Sequence, residues 1–275
     1  FDIKAMKELG FNMIRKHIKV EPSRWYMHCD REGILVWQDL PSPNLPEGHE
    51  AFARQNFEEE AVRIIDAFEN HPSIVQWVVF NEGWGQFDTE RMTQVVIDKV
   101  SPQSLVCCAS GWNDAEIGDI KDSHSYPYPS CPIDQKRACV NGEYGGITLK
   151  VPGHIWPGGD FGYTTVETPE DFTVMFNDLA DKIKDHYYYG LNAAVYTQLS
   201  DVEIEKNGIY TYDRRILKPY SPTGELKDKI LECINMPQSD VKIQPVVSTA
   251  KEHKYKWKFI TEDNAPRHWF AKGFD

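Results

Sequence analysis

Short apolar segments alternate along this chain with segments of helical periodicity, and this alternation most limits the folds open to it. Between about residues 52 and 69, Phe57, Ala61, Ile65 and Phe68 fall on one helical face. The next segment, 73–80, is almost continuously apolar, which is typical of a strand buried on both faces. Repeated strand–helix units of this kind predict a mainly parallel sheet covered by helices.

The same reading along the whole chain gives a set of expected elements. The predicted strands are 11–17, 34–38, 73–80, 105–109, 120–126, 138–143 and 192–198. The predicted helices are 2–10, 22–32, 52–69, 89–100, 170–187 and 224–234. From about Met236 the helical period is lost, and Val241–Val247 and Tyr255–Ile260 are expected to be extended. We therefore expect a barrel-sized domain over 1–235, and over 236–275 a linker with the start of a further β-rich domain.

Seven strands in an α/β alternation favour a (β/α)8 TIM barrel, which contains eight parallel strands in typically about 250 residues. On this interpretation the first barrel strand lies before Phe1, so the chain is part of a longer protein. A doubly wound open sheet is the alternative, but no G-x-G-x-x-G or phosphate-loop motif follows any predicted strand. A barrel without one strand exposes a sheet edge and apolar surface, so a homo-oligomer is one expected outcome.

Charge and cysteine content exclude several functional classes. The 30 basic and 42 acidic residues give a net charge of −12, which argues against nucleic acid and anionic membranes as partners. No apolar run approaches the roughly 18–20 residues of a membrane span. The six cysteines form no C-x-x-C pair, so buried free thiols are favoured over a disulfide framework, and the redox compartment stays open.

Two glutamates stand at the ends of predicted strands, where the chemistry of a barrel is located. Glu82 follows the apolar run 78–80 within N-E-G-W, and Glu143 ends strand 138–143 within N-G-E-Y-G-G. Cleavage of a glycosidic bond needs such a pair, with one carboxyl protonated to donate to the leaving oxygen and the other ionised. Taken alone, this pattern does not exclude the alternative that both glutamates are solvated residues or helix caps.

Other side chains at the same strand ends suit supporting roles. Arg15 could keep one glutamate ionised, and Tyr126 could donate a hydrogen bond to it. Tryptophans in the adjoining loops offer flat apolar faces for sugar rings: Trp84, Trp112 and Trp156. His17 and His124 are equally compatible with packing or with ligand contact. Together with Asp39 they could bind a metal ion, although no H-x-H pair begins the sequence, so no metal site is expected.

In several ordered blocks the sequence resembles the catalytic domain of family 2 glycoside hydrolases, the family of β-galactosidases, β-glucuronidases and β-mannosidases. The blocks are Met6–Arg15 with His17, Tyr26–Asp39, Asn70–Glu82 and Asn141–Gly145, and the resemblance extends over about residues 1–234. The block N-H-P-S-I ending in Asn81-Glu82 is the most specific and resembles the family's acid/base signature.

This resemblance implies a retaining β-glycosidase that needs no cofactor and acts on a glycoside or oligosaccharide. By resemblance, Glu82 is the general acid/base and Glu143 the nucleophile. The residues implied in substrate binding or in orienting Glu143 are Arg15, His17, Asp39, Asn81, Trp112, His124, Tyr126, Trp156 and Gln198. A periplasmic or extracellular location, and sugar-binding and immunoglobulin-like domains before the barrel, are also implied.

The sequence departs from the family pattern in three ways. Gln198 ends the last strand where galactosidases and glucuronidases usually place a tryptophan, so the sugar cannot be transferred from them. Only 61 positions separate Glu82 from Glu143, so loops 111–119 and 130–137 must replace full helices. Lys16 and Lys19 beside His17, with acidic residues after Gln198, leave open a neutral or a charged sugar. Galactosidase-type activity is the first specificity to test, and the alternative function is a non-catalytic carbohydrate-binding degenerate barrel.

Overall fold

The fold is that of a computed structural model that describes residues 1–42 and 50–237. Its helices are Asp2–Glu8 (α1), Ser23–Glu32 (α2), Glu50–Phe68 (α3), Thr89–Lys99 (α4), Pro169–Tyr187 (α5) and Glu225–Ile234 (α6). Its strands are Met13–Lys16 (β1), Leu35–Asp39 (β2), Ile74–Asn81 (β3), Leu105–Ser110 (β4), Ile120–His124 (β5), Ala138–Gly145 (β6), Ile147–Thr148 (β7), Thr164–Thr165 (β8) and Leu191–Thr197 (β9).

Seven of these strands follow one another in barrel order. One parallel sheet has the order β1-β2-β3-β4, and a second has the order β5-β6-β9. The two sheets meet where the backbone N–H of Asp119 donates to the carbonyl of Val106 at 2.8 Å. Seven of the eight strands of the predicted (β/α)8 barrel are therefore present, and no other strand in the described ranges pairs with the outer edge of β1 or β9.

Every predicted helix and strand in the described ranges lies within two residues of its observed ends, and two details differ. The strand predicted to run to Tyr126 ends at His124, because Pro127 and Pro129 just beyond it have no N–H to donate to a sheet. The small parallel pair β7–β8 was not expected, since two residues are too few to show a periodicity. The predicted extended segments at 241–247 and 255–260 lie outside the described residues, and the domain boundary at 235/236 stays a prediction.

Side chains alternate between the barrel interior and the helical layer. The interior cluster takes one residue or more from each strand that surrounds it: Met13, Trp37, Val78, Cys107, Ile120, Val140, Ala193 and Val195. The alternate residues of β2 and β3 face the helices and belong to the core formed with α1 to α4. They include Val36, Trp77 and Val79. Period-two alternation thus fixes which strand residues point inward and reach the open end of the barrel.

Loops 111–119 and 130–137 contain no helix, as their length predicted. A compact ion cluster stabilises them instead. Arg137 binds Asp114 through two parallel hydrogen bonds of 2.7 and 2.8 Å and also contacts Asp134, while Lys121 approaches Asp114 to 2.7 Å. Burial disfavours the Asp114 charge, but the hydrogen bonds from Arg137 and Lys121 outweigh this and lower its pKa. These charge-assisted bonds fix the short connections around β5.

The six cysteines are all free thiols, four of them buried, in agreement with the sequence expectation. Within the described ranges, no helix combines the length and the apolar character needed to cross a lipid bilayer.

Helix α5 provides a test of the barrel core. Phe172 is fully buried, whereas Val174 on the same helix is 70% exposed. We expect Phe172→Ala to lower the free energy of unfolding by about 3–5 kcal/mol because it leaves a cavity, and the control Val174→Ala to change it by under about 0.5 kcal/mol. Urea unfolding of the full chain measures both. Equal effects of the two substitutions would contradict this packing.

Candidate active site

Arg15 lies at the centre of the site, buried at the end of β1. Its guanidinium binds Asp39 through two hydrogen bonds of 2.8 and 3.1 Å and donates to the side-chain oxygen of Asn81 at 2.8 Å. It also donates to the carbonyl of Gly142 at 3.2 Å and to Glu143 at 3.0 Å. Burial opposes its charge, but Asp39 and Glu143 outweigh this and raise the pKa of Arg15. One cation thus connects four strands, as the parallel order of their carboxyl ends predicts.

Glu143 is held ionised by its neighbours. One of its oxygens accepts from Arg15, and the other accepts from the Tyr126 hydroxyl at 2.6 Å. Burial alone would raise the pKa of this carboxyl, but the charge of Arg15 and the further donors outweigh it and lower that pKa. Tyr126 also contacts the Thr197 hydroxyl at 2.9 Å. The expected roles of Arg15 and Tyr126 in orienting Glu143 therefore have the required geometry.

Glu82 faces the same space from the end of β3. It follows the strand in the left-handed region with φ +50°, and its backbone N–H donates to the carbonyl of Ser110 at 3.0 Å. Such a backbone conformation in a residue other than glycine is costly and concentrates at functional sites. A carboxylate oxygen of Glu82 lies 2.7 Å from Nδ1 of His124, and the Trp112 indole donates to the Glu82 carbonyl at 2.9 Å. Trp112 is thus placed beside Glu82, and its contact with substrate stays a prediction.

The two glutamates come together across His124. One ligand atom each from Glu82, His124 and Glu143 lie within 4.8 Å of one another, so carboxylate oxygens of the two glutamates are at most that far apart. The His124 side chain is 1% exposed and lies 2.7 Å from Glu82 and 3.5 Å from Glu143 through the same nitrogen. The paired-carboxylate arrangement that the strand ends predicted is present.

Behind His124 lies a polar pair that the sequence analysis did not assign. Nε2 of His124 is 2.8 Å from the Ser110 hydroxyl, which in turn makes a short hydrogen bond to the buried carboxyl of Asp122. The backbone N–H of Gly142 donates to the other Asp122 oxygen at 2.6 Å. A Cβ at Gly142 would collide with the Asp122 carboxyl, so only glycine fits directly before Glu143. Asp122 and His124 are two positions apart on β5, and that spacing is the sequence signal that places them on one face.

Tyr163 is a second residue that the sequence analysis did not assign. Its ring stacks on Tyr126 with centroids 3.5 Å apart, over Gly146, whose φ of +67° and missing side chain leave room for both rings. Burial raises the pKa of Tyr163 to about 12, and Glu143, Glu82 and Glu205 add to this effect. Tyr163 therefore packs beside the site through Tyr126, which donates to Glu143. It lies in the long segment after β7, where no periodic pattern signals such a contact.

The remaining predicted residues divide into three groups. His17 is half-exposed and approaches Asp39 to 3.4 Å and Glu143 to 3.8 Å, so it lines the site. The Gln198 amide donates to Asn207 at 2.7 Å and to Glu205 at 3.2 Å, so in this structure it positions the loop after β9. Trp156 is 43% exposed and packs edge-on against Tyr212, and its contact with substrate stays a prediction.

His17, His124 and Asp39, the three residues of the metal alternative, do not bring their ligand atoms together as a trio. The only trio of metal-ligating side chains that meets in residues 1–42 and 50–237 is Glu82, His124 and Glu143.

Comparison with known proteins decides the family. The model of the family described as glycosyl hydrolases family 2, TIM barrel domain, matches residues 1–232. The chain belongs to this family. A Lilium longiflorum mannosylglycoprotein endo-β-mannosidase is 25% identical to this family 2 chain over 283 residues, covering 84% of the chain and 26% of that protein. A Clostridium acetobutylicum β-galactosidase is 23% identical over 270 residues, covering 84% of the chain and 30% of that protein.

A shorter match is to a Bacteroides fragilis β-glucuronidase, 32% identical over 88 residues and covering 30% of this chain and 12% of that protein. Among solved structures, a family 2 β-galacturonidase from Eisenbergiella tayi bound to galacturonate superposes with a TM-score of 0.64 at 18% identity, over 83% of this chain and 46% of that one. The family 2 chain thus spans less than a third of these curated relatives, and the structural likeness concerns the fold alone.

The Arg15 cluster predicts a large and pH-dependent stability effect. We expect Arg15→Met to lower the free energy of unfolding by about 3–5 kcal/mol at neutral pH, because it leaves Asp39 and Glu143 buried without their cation. The control Arg63→Met removes an exposed pair with Glu59 and should cost under about 1 kcal/mol.

The pH dependence of this effect has a definite sign. Arg15 lowers the pKa of Asp39 and Glu143 in the folded protein, so their stabilising contribution is present above the unfolded pKa values of about 4 and is lost as pH falls through the lower folded values. The deficit of Arg15→Met should therefore shrink in acid. Urea unfolding at a series of pH values measures it, and a deficit that grows in acid would contradict the assignment.

Proposed function

We propose that this family 2 domain is a retaining β-glycosidase that cleaves O-glycosidic bonds by double displacement, with Glu143 as nucleophile and Glu82 as acid/base. The observation that carries the proposal is the separation of at most 4.8 Å between carboxylate oxygens of the two residues. Retaining enzymes hold their two carboxyl groups about 5–5.5 Å apart, whereas inverting enzymes leave about 6.5–9.5 Å for a water molecule. The close spacing favours direct attack by a carboxylate over activation of water.

In the first step, Glu143 attacks the anomeric carbon and forms a glycosyl ester, while Glu82 gives its proton to the departing glycosidic oxygen. In the second step, Glu82 takes a proton from water, whose oxygen attacks the same carbon and releases Glu143. The contacts of Glu143 with Arg15 and Tyr126 suit a group that must stay ionised in the free enzyme. Glu82 is more exposed than Glu143, which suits contact with both the aglycone and water.

Asn81 is suited to binding the sugar. Its side-chain oxygen accepts from Arg15, which leaves the amide N–H groups to donate to a substrate hydroxyl. A donor fixed in this way stabilises charge that develops near the anomeric centre without reorganisation. The fixed orientation of Asn81 is therefore a further consequence of the buried Arg15.

Azide rescue tests both glutamates at once. We expect Glu143→Ala to lower kcat by about 10⁴-fold or more and azide to restore turnover as an α-glycosyl azide, because azide then replaces the missing nucleophile. Glu82→Ala should slow poor leaving groups by about 10²–10⁴-fold, and azide should give the β-glycosyl azide from the intact Glu143 intermediate. NMR of the products distinguishes the two anomers. Unchanged turnover in either variant would contradict its role.

The charges around the site favour a neutral sugar. Glu205 is half-buried on the loop after β9, where it accepts from the Gln198 amide at 3.2 Å, and it adds a third carboxylate to Glu82 and Glu143. Burial, and then the charge of Glu143, raises the pKa of Glu205. The nearest basic residues of that loop are already bound, Lys206 to Asp160 and Lys218 to Asp201. Arg15 is occupied as well, and Lys16 and Lys19 beside His17 are paired with Glu21. A uronic acid would therefore meet carboxylates and no permanent cation that lacks a partner in the described part of the site.

A charge-neutral variant tests this substrate class. We expect β-galactosides, β-glucosides or β-mannosides to be cleaved in preference to the corresponding uronides, and Glu205→Gln to reduce that preference by about tenfold by removing the repulsion. The ratio of kcat/KM for paired 4-methylumbelliferyl substrates measures it. The preference should also weaken as pH falls and Glu205 becomes protonated.

Glu203→Gln is the matched control, since Glu203 is an exposed residue of the same loop. Equal ratios in the wild type and in Glu205→Gln would contradict the role of Glu205. Among the neutral glycosides, galactosides are the first to test.

The second candidate function is a non-catalytic carbohydrate-binding barrel. It is suggested by Gln198, which stands where galactosidases and glucuronidases usually have a tryptophan. The complete set of groups around Glu82 and Glu143 disfavours it. Covalent labelling of Glu143 by an activated 2-deoxy-2-fluoro glycoside would exclude it, whereas sugar binding without labelling would support it.

A further inference from the structure

A continuous row of hydrogen-bonding side chains links Glu82 to a buried acid on the far side of the site. Oε1 of Glu82 lies 2.7 Å from Nδ1 of His124, and Nε2 of His124 lies 2.8 Å from Oγ of Ser110. Oγ of Ser110 then contacts Oδ2 of Asp122, in a hydrogen bond shorter than the ordinary length. Ser110 and the side chains of His124 and Asp122 are all 1% exposed or less, so water has little access to the inner part of this row.

With a neutral His124, the hydrogens of the row allow two fully bonded arrangements, and placing the proton on the ring instead gives a third, in which an imidazolium lies between two carboxylates. Serine has one hydroxyl hydrogen and neutral histidine has one ring hydrogen, so in each contact one partner is the donor and the other the acceptor. When Asp122 is ionised, Ser110 donates to it and accepts from Nε2–H of His124. Nδ1 is then an acceptor, and it is satisfied only if Glu82 carries a proton.

The opposite arrangement reverses every donor. A protonated Asp122 donates to Ser110, Ser110 donates to Nε2, and Nδ1–H of His124 donates to an ionised Glu82. Conversion between the two moves one proton at each contact: Glu82 to Nδ1, Nε2 to Oγ of Ser110, and Oγ to Asp122. The row neither gains nor loses a proton, so Asp122, His124 and Glu82 compete for a single one.

We propose that Asp122 is a positioning residue that determines, through Ser110 and His124, whether Glu82 is protonated and therefore able to act as the acid. This inference rests on the proposed function of Glu82. It assigns a purpose to a buried carboxyl that the two-glutamate mechanism does not otherwise need, and it explains why the histidine beside the acid is supported by serine and aspartate.

The groups around Asp122 allow it to exist in either form. Burial raises the pKa of Asp122, while the charges of His124 and Arg15 and the hydrogen bonds from Ser110 and the Gly142 N–H act against that rise. The Cys107 thiol is the other titratable group near it, and the burial of that thiol raises its pKa. His124 is also faced by Glu143 at 3.5 Å and by Nη1 of Arg15 at 3.4 Å, neither of which closes the row.

Asp122→Asn tests the proposal with a defined outcome. The Gly142 N–H holds the position of Oδ1, so the carbonyl of the introduced side chain should occupy it and the amide NH2 should face Ser110. That amide donates to Ser110, and the row is fixed in the arrangement in which His124 donates to an ionised Glu82. Acid assistance should be lost while nucleophilic attack by Glu143 is retained.

The readout is the dependence of rate on the leaving group. In Asp122→Asn, kcat/KM should fall by about 10²-fold or more for an alkyl glycoside, which needs the acid, and by less than about threefold for a 2,4-dinitrophenyl glycoside, which does not. The basic limb of the pH profile for the alkyl glycoside should move to lower pH. An equal loss on both substrates would indicate a structural role and overturn the proposal.

A spectroscopic measurement tests the same row without turnover. The ¹⁵N shifts of His124, assigned by comparison with His124→Gln, should report a protonated Nε2 in the wild type at low pH and a neutral Nδ1–H ring in Asp122→Asn. The same protonation of Nε2 in both proteins would overturn the proposal. Ser110→Ala interrupts the row without touching Asp122 and should also reduce acid assistance. Ser123→Ala is the control, because this β5 serine bonds to Ser130 outside the row.

Labelling of Glu143 by a 2,4-dinitrophenyl 2-deoxy-2-fluoro glycoside separates this inference from the proposed function. Labelling of both the wild type and Asp122→Asn, together with the selective loss on alkyl glycosides, supports both. Labelling with no change in leaving-group dependence overturns the role of Asp122 alone. Absence of labelling in the wild type overturns the nucleophile role of Glu143 and therefore the retaining mechanism of the proposed function, on which this inference rests.

Discussion

The buried guanidinium of Arg15 is the interaction on which the rest of the site depends. Its bonds to Asp39, Asn81 and Glu143 join β1, β2, β3 and β6 at their carboxyl ends. Removing a charge of this kind from water is costly, and that cost is offset only when every donor has a partner of suitable geometry. Arg15 meets this condition by using backbone and side-chain acceptors from separate strands. The same bonds that stabilise the barrel end therefore ionise Glu143, orient Asn81 and set the distance between them.

Sequence reasoning succeeded where a periodic pattern carries the information. Glu82, Glu143, Arg15 and Tyr126 could be placed together because parallel strands bring their carboxyl ends to one face, whatever the details of the loops. Tyr163 and Glu205 could not be placed, because each sits on a long connection whose path depends on contacts made only in the folded chain. These include the backbone bond from Phe161 to Ile204. Asp122 is an intermediate case, because the sequence shows its two-residue spacing from His124 but does not show that it is buried.

The two shortest connections of the barrel show how a cluster of ion pairs can replace a helix. A helix on the outside of a barrel covers the sheet and fixes the strands at its two ends. Here the cluster of Asp114, Arg137, Asp134 and Lys121 fixes the loops on both sides of β5 within a few residues. Because β5 carries both Asp122 and His124, this cluster also determines how rigidly the two are held.

The balance of charge around Arg15 explains why the buried acid Asp122 shares a proton with Glu82. Arg15 is the one permanent cation in the described part of the site. It bonds directly to Asp39 and Glu143, and it attracts the charge of Asp122 without contact. Two carboxylates and one guanidinium already leave a net negative charge, so a third buried carboxylate is disfavoured and Glu82 would add a fourth. One proton shared among Asp122, His124 and Glu82 relieves that repulsion wherever in the row it resides. Arg15 offsets only part of the negative charge, so it keeps Glu143 ionised for attack while the row retains one proton.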